Sequence, residues 1–192
     1  MSGRLIHLLR HGPPLRPGLL HGHGDEPPAA PDGGLAGAVP DDIPIGVVVS
    51  SDLRRARAGA DSLAQARGLA VTVDSRWREL DFGSWDGAAP GQMDADALAR
   101  FWDDPDTNPP PGGERWSALV ARVGQALAAL PPDTLVVTHG GAMRAAIAVL
   151  TGLDCRQVWA LDLPYAALLS MRIWPTTPLS GQIVGLRVRL PG

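Results

Sequence analysis

Apolar positions fall along this chain in two kinds of run, and their order outlines a fold. Short unbroken apolar stretches at Leu5 to Leu9, Ile45 to Ser50 and Leu135 to Thr138 read as strands buried on both faces. Ala70 to Val73 is a further short one. Trp116, Leu119, Val120, Val123, Leu127 and Leu130 instead recur at the spacing of one helical face, and Pro131 and Pro132 stop that helix. Punctuation predicts two more helices. One follows the second strand, capped by Ser50 or Ser51 and ended near Gly68, and the other opens at Gly140-Gly141 and ends at Gly152. Toward the end of the chain, Leu168 to Ile173 and Ile183 to Leu190 are expected as strands, with Arg187 and Arg189 facing outward on the last.

Two stretches carry neither period. Residues 13–42 are rich in Pro and Gly, and a loop of that length inside a domain is usually functional or mobile. Residues 86–113 are acidic and end in Asn-Pro-Pro-Pro-Gly-Gly. They are expected to form a small cap-like insertion, with a short helix around Ala95 to Trp102 lying over one end of the sheet. Strands alternating with helices predict an α/β fold, a three-layer α/β/α sandwich around a mostly parallel central sheet. The 192 residues suit a single domain over 1–192.

Composition removes several function classes. Hydrophobic residues make up 45% and charged residues 19%, the balance of a globular protein. No run reaches the ~18 consecutive apolar residues of a membrane span. The N-terminal segment meets charge too early for a secretory signal. The single cysteine, Cys155, cannot form an intrachain disulfide, so a cytoplasmic setting is expected. A net charge of −3 without a basic run argues against nucleic acid as a partner. All 17 basic side chains are Arg, which excludes lysine-dependent P-loop, Schiff-base and pyridoxal-phosphate chemistry.

In parallel sheets, ligands bind beyond the carboxyl ends of the strands. Arg10-His11, the segment Ser50 to Arg57, and His139 each stand just past such an end. That gathers imidazoles and guanidinium groups where a phosphate monoester, a dianion, could be held. Arg10 and Arg55 are expected to grip it through planar, permanently charged forks. A neutral His11 could attack phosphorus directly if its other ring nitrogen donates to a backbone carbonyl. His139 is expected to be protonated and to donate to the phosphoryl oxygens, joined by N–H groups of the helix opening at Gly140. An alkoxide leaves poorly without a proton. Glu79 is the expected donor and the later base for water, with Asp81 as the alternative. The reading needs no cofactor and no metal, and its partner is a small phosphorylated molecule, without nucleic acid or membrane. A homodimer stays open.

Four motifs in order resemble those of the histidine phosphatase, or phosphoglycerate-mutase-like, superfamily: Arg10-His11-Gly12, Ser50 to Ala56, Glu79 to Gly87, and Val137 to Gly141. The resemblance implies a phosphoglycerate-mutase-like fold, a phosphohistidine on His11, and phosphate binding by Arg55. Pro110 to Glu114 and Leu163-Pro164-Tyr165 are similar to the α-ribazole-5′-phosphate phosphatase branch, which would place Glu114 near the substrate opening. Broad-specificity phosphatases and phosphoglycerate-mutase-type enzymes share the same motifs. Departures from the pattern are Pro13 and Pro14, Pro17 in place of a usual Asn, and Gly59 in place of a usual Thr. The pocket is therefore expected to draw on His21, Arg16 or Arg57 at its rim.

Two rival readings come from other classes. His21-Gly22-His23-Gly24-Asp25 fits the His-x-His-x-Asp pattern of binuclear metal-dependent hydrolases. The departures could also mark a non-catalytic phosphate-binding domain. His7 reads as a satisfied core histidine and the six tryptophans read mainly as packing, with shaping the mouth of the site as the alternative for Trp85 and Trp102.

Overall fold

The structure, a computed structural model, describes residues 3–188. Six strands form one sheet: β1 (Arg4–Arg10), β2 (Val47–Ser50), β3 (Val71–Val73), β4 (Thr134–Thr138), β5 (Leu168–Trp174) and β6 (Ser180–Arg187), in the order β3-β2-β4-β1-β5-β6. β1, β2, β3 and β4 are parallel, and β5 and β6 add an antiparallel edge. The register Ile6↔Thr134 to Arg10↔Thr138 brings the ends of β1 and β4 level. This is what sets His11 and His139 side by side.

Side chains alternate across a strand, so each central strand feeds two cores. Ile6, Leu8, Val49 and Val136 pack on one face against Leu119 and Val123 of α3 (Trp116–Ala129) and Met143 and Ile147 of α4 (Gly140–Thr151). Leu9, Val48, Leu135 and Val137 pack on the other against Ala56, Ala60 and Leu63 of α1 (Arg54–Ala66). A short helix, α2 (Ala95–Asp103), is N-capped by Asp94 and buries Phe101 in the first core, and α5 spans Cys155–Val158.

Three expectations change. The segment 13–42 completes the second core with Leu35, Ala38 and Val39, so it is part of the outer layer rather than a detached loop. Gly59 follows from this packing: a Cβ there would overlap the Leu35 side chain, and a Cβ on Gly33 would overlap the Gly59 backbone. The first helix is not capped by Ser50 or Ser51. It starts later, with Leu53 as N-cap two residues beyond Ser51, and the Ser51 hydroxyl accepts from the Leu53 N–H at 3.3 Å where the chain turns before the helix. The last strand begins at Ser180 rather than Ile183, since β5 and β6 pair from Trp174↔Ser180 onward. Arg187 is exposed, and Arg189 lies outside the described residues. His7 is buried with Nδ1 2.8 Å from the Ser170 hydroxyl. Among the described residues no helix is long and apolar enough to cross a membrane.

Candidate active site

His11 leaves the end of β1 with its backbone N–H on the Thr138 carbonyl of β4, 2.8 Å away. Its Nδ1 lies 2.6 Å from the Gly12 carbonyl, and a carbonyl only accepts, so Nδ1 carries the proton and Nε2 keeps its lone pair. The His139 ring stands 5.0 Å away, centroid to centroid, at the N-terminus of α4. Its Nε2 is 3.0 Å from the Ser51 hydroxyl. Both imidazoles are buried, and burial pushes both pKa values well below the usual histidine value, with Arg55 adding to the effect. The protein alone therefore works against the protonated His139 expected at a bound phosphate. Desolvation and the flanking guanidinium groups lower the ring's proton affinity, and a bound dianion would push the other way.

The two arginines are placed differently. Arg10 donates from Nη1 to the Leu163 carbonyl at 2.6 Å, and its guanidinium lies over the Tyr165 ring, 4.3 Å from the centroid. Arg55 is fully buried and reaches the carbonyls of His21, Gly22 and Gly24. It thus fastens the 21–24 segment over the site. Nε of Arg10, Arg55 and Arg144 and Nδ1 of His139 are buried with no hydrogen-bond partner among the described residues. Buried polar groups are rarely left unpaired. Orphan cationic donors around one imidazole make an anion the fitting ligand.

A cavity of about 250 Å³ opens over this cluster. Arg10, His11, Glu79, Gly140 and Arg144 line its polar end, and Leu19, Phe101, Trp102, Pro105 and Trp159 form an apolar wall. Glu79 accepts from the N–H groups of Leu80 (2.8 Å) and Gly141 (3.0 Å). A Cβ on Gly141 would overlap the Glu79 carboxylate, so only glycine lets the first turn of α4 approach it. The Gly141 N–H expected to face the anion is therefore taken by Glu79. Asp81 turns away, accepting from the Gly83 N–H and standing 3.5 Å from His23.

Among the four expected rim residues, only His21 lines the cavity, its Nε2 2.6 Å from the Arg16 carbonyl. Arg16 is held by Glu26 through two hydrogen bonds, and Arg57 pairs with Asp61 one helical turn on. Glu114 is drawn behind the Glu79 loop by Arg122, at 2.8 Å, and does not reach the opening. Trp85 packs edge-on against Phe101, 5.7 Å between centroids, while Trp102 lines the mouth.

The His-x-His-x-Asp pattern does not converge. His21 faces the Arg16 carbonyl, His23 the Glu79 carbonyl at 3.0 Å, and Asp25 pairs with Arg54. Among the described residues no three His, Cys, Asp or Glu side chains gather as metal ligands. Sequence reasoning gave no role to Arg122, Arg144 or Trp159, and placed Ser51 and Tyr165 only within motifs, with no part in the site. Arg144 had a usable signal, since it sits one helical turn after Gly140 and so shares its face. Trp159 had none.

Comparison with known proteins agrees with this geometry. The histidine phosphatase superfamily (branch 1) profile matches residues 6–180. A glucosyl-3-phosphoglycerate phosphatase of Mycobacterium tuberculosis is 40% identical over 119 residues, covering 54% of this chain and 53% of the relative. The chain therefore matches about half the length of that protein. A solved mycobacterial glucosyl-3-phosphoglycerate phosphatase in complex with VO3 superposes with a TM-score of 0.82 at 28% identity, covering 95% of this chain and 98% of the other. The α-ribazole phosphatase of Shigella flexneri gives 0.79 at 26% identity, covering 98% of both. With nearly the whole chain matched and a phosphoglycerate-mutase-like fold around two facing histidines, this chain belongs to the histidine phosphatase superfamily.

Proposed function

We propose that the chain hydrolyses a phosphate monoester of a small molecule through a phosphohistidine on His11. The carrying observation is the Nδ1–Gly12 hydrogen bond, which leaves the opposite ring nitrogen basic amid unpartnered cationic donors. In the first step, Nε2 forms a bond to phosphorus as the ester P–O bond breaks, and Glu79 gives its proton to the departing oxygen. In the second, water loses a proton to Glu79 and attacks phosphorus, breaking the P–N bond and releasing inorganic phosphate. Arg10 and Arg55 stabilise the charge on the equatorial oxygens. Residues 86–113 act as a cap, supplying Phe101, Trp102 and Pro105 to the cavity wall.

For the substrate, the apolar wall supports a leaving group that carries a flat ring. α-Ribazole 5′-phosphate has one, and the likeness to the Shigella enzyme points the same way. A second reading rests on Arg144, which faces the same cavity with Nε unpartnered and would suit a carboxylate beside the phosphate, as in a phosphoglycerate ester. Rapid-quench labelling should trap an acid-labile, base-stable phosphoprotein in wild type and none in His11→Ala. Absence of the adduct in wild type overturns the mechanism. A panel of α-ribazole 5′-phosphate, glucosyl-3-phosphoglycerate, sugar phosphates and nucleotides ranks the substrates, and no turnover of any ester, p-nitrophenyl phosphate included, would favour a binding domain. Activity that EDTA removes would revive the metal reading.

A further inference from the structure

Glu79 stands on a stretch that is neither helix nor strand beyond the short turn Ser75–Trp77, yet a proton donor must stay within hydrogen-bond reach of the ester oxygen. Backbone of this kind is ordinarily the more mobile part of a fold. One side chain from another element bonds three of its carbonyls. Arg122, on α3, donates from Nη1 to the carbonyls of Arg76 and Arg78, both at 2.8 Å, and from Nη2 to the carbonyl of Glu79 at 2.7 Å. Its Nε and Nη2 also take the two oxygens of Glu114, each at 2.8 Å. Glu114 closes the other side: its backbone N–H donates to the Asp81 carbonyl at 2.9 Å, and its carboxylate accepts from the Asp81 N–H at 3.3 Å. The acid is thus tied on both sides. Neither Arg122 nor Glu114 lines the cavity.

We infer that Arg122, partnered by Glu114, is a positioning residue that sets where the Glu79 carboxylate stands. This rests on Glu79 being the proton donor proposed above. Only a planar fork with several donors can reach three carbonyls and a carboxylate at once, so lysine is not an equivalent. Glu114 also compensates the guanidinium charge, so the fork shapes the loop without adding an unpaired cation behind the acid. Other ties keep the segment folded when Arg122 is lost. The Thr138 hydroxyl donates to the Trp77 carbonyl at 2.6 Å, His23 bonds the Glu79 carbonyl, and Arg78 pairs with Asp52. The loop should therefore shift rather than unfold, and a shift on the order of an ångström at a reacting group can cost about 100-fold.

The test compares kcat/KM, which reports only the steps through phosphohistidine formation and not the later attack of water, for glycerol 2-phosphate, whose alkoxide needs a proton, and for p-nitrophenyl phosphate, whose leaving group does not. In the full chain, Arg122→Met should lower the alkyl rate by roughly 10- to 100-fold and the aryl rate by no more than about 3-fold. Arg122→Lys should recover less than half of the alkyl loss. In a Glu79→Gln background, adding Arg122→Met should change the alkyl rate no further, because the group it places is already gone. Equal losses on both esters, or a full additional loss in the Glu79→Gln background, overturn the positioning role alone. An unchanged alkyl-to-aryl ratio in Glu79→Gln itself overturns the acid assignment, and the inference with it. If Arg122→Met does not fold, Glu114→Gln carries the test. It leaves the three carbonyl bonds and should give a smaller split in the same direction, about 3-fold, whereas no split overturns the proposal.

Discussion

The two ends of the proposed catalytic apparatus are held by different physics. His11 and His139 are placed by the sheet: β1 and β4 pair in register, and the His11 N–H extends that ladder by one bond to Thr138. Glu79 has no ladder. Its place depends on a guanidinium from α3, a carboxylate from the turn before it, and a glycine at the start of α4 that leaves room. A backbone ladder is cooperative and tolerates single side-chain changes. A side-chain clamp can be undone one residue at a time. The proposed nucleophile should therefore respond to mutation chiefly at its own side chain, and the proposed acid at several positions remote in sequence.

The sharpest test of that contrast is His11→Ala, which should lower turnover of every ester by about 1,000-fold or more, without regard to leaving group. Steady-state assays on alkyl and aryl phosphates check it. Next in size is Gly141→Ala, a single added methyl that must displace the Glu79 carboxylate. It should cut kcat/KM for alkyl esters by roughly 10-fold and spare kcat/KM for p-nitrophenyl phosphate, since proton donation is the contribution lost before the phosphohistidine forms. An equal fall for both would mean that the start of α4 serves the phosphate rather than the acid.

A third expectation concerns pH. Burial, and after it the neighbouring arginines, pushes the pKa values of His11 and His139 well below the usual 6.5. The unfolded chain then binds more protons than the native one as pH falls through that usual value. The histidines' contribution to stability is full above it and declines as the pH drops toward their lowered native values. Thermal melts from pH 8 to pH 5 should show this decline, and His139→Gln should reduce it. Inorganic phosphate should offset it, by stabilising the protonated rings. Arg57→Ala marks the bottom of the scale. Its pair with Asp61 is partly exposed and remote from the cavity, so the change should cost under about 0.5 kcal/mol and leave kcat unaltered.

How much of this was legible beforehand depended on whether a residue's role was set locally. Apolar runs located β1, β2 and β4 closely, and the rule that ligands sit beyond strand ends then put His11, Arg10, Arg55 and His139 in one neighbourhood. His21 was reached through the departures from the family pattern, and it does line the cavity. The same reasoning misassigned Arg16, Arg57 and Glu114 because a charged side chain's partner is chosen in three dimensions. Each had a nearer counter-charge: Glu26, Asp61 and Arg122. The Pro- and Gly-rich segment looked unstructured because it has no period. Its Leu35, Ala38 and Val39 contribute to the core one at a time, and a scattered set of anchors leaves no rhythm to read.

By itself, then, the order of residues determined the alternation of strands and helices, the edge of the sheet where the site lies, and the imidazoles and guanidinium groups brought near it. Tertiary structure decided the rest: that burial lowers the pKa of both imidazoles, that Gly59 packs against Leu35, and that Arg122 is bonded to the loop that carries Glu79. The reason is the same in each case. Periodicity is a property of neighbours along the chain, whereas desolvation, steric room and the pairing of charges belong to groups that meet only after the chain has folded.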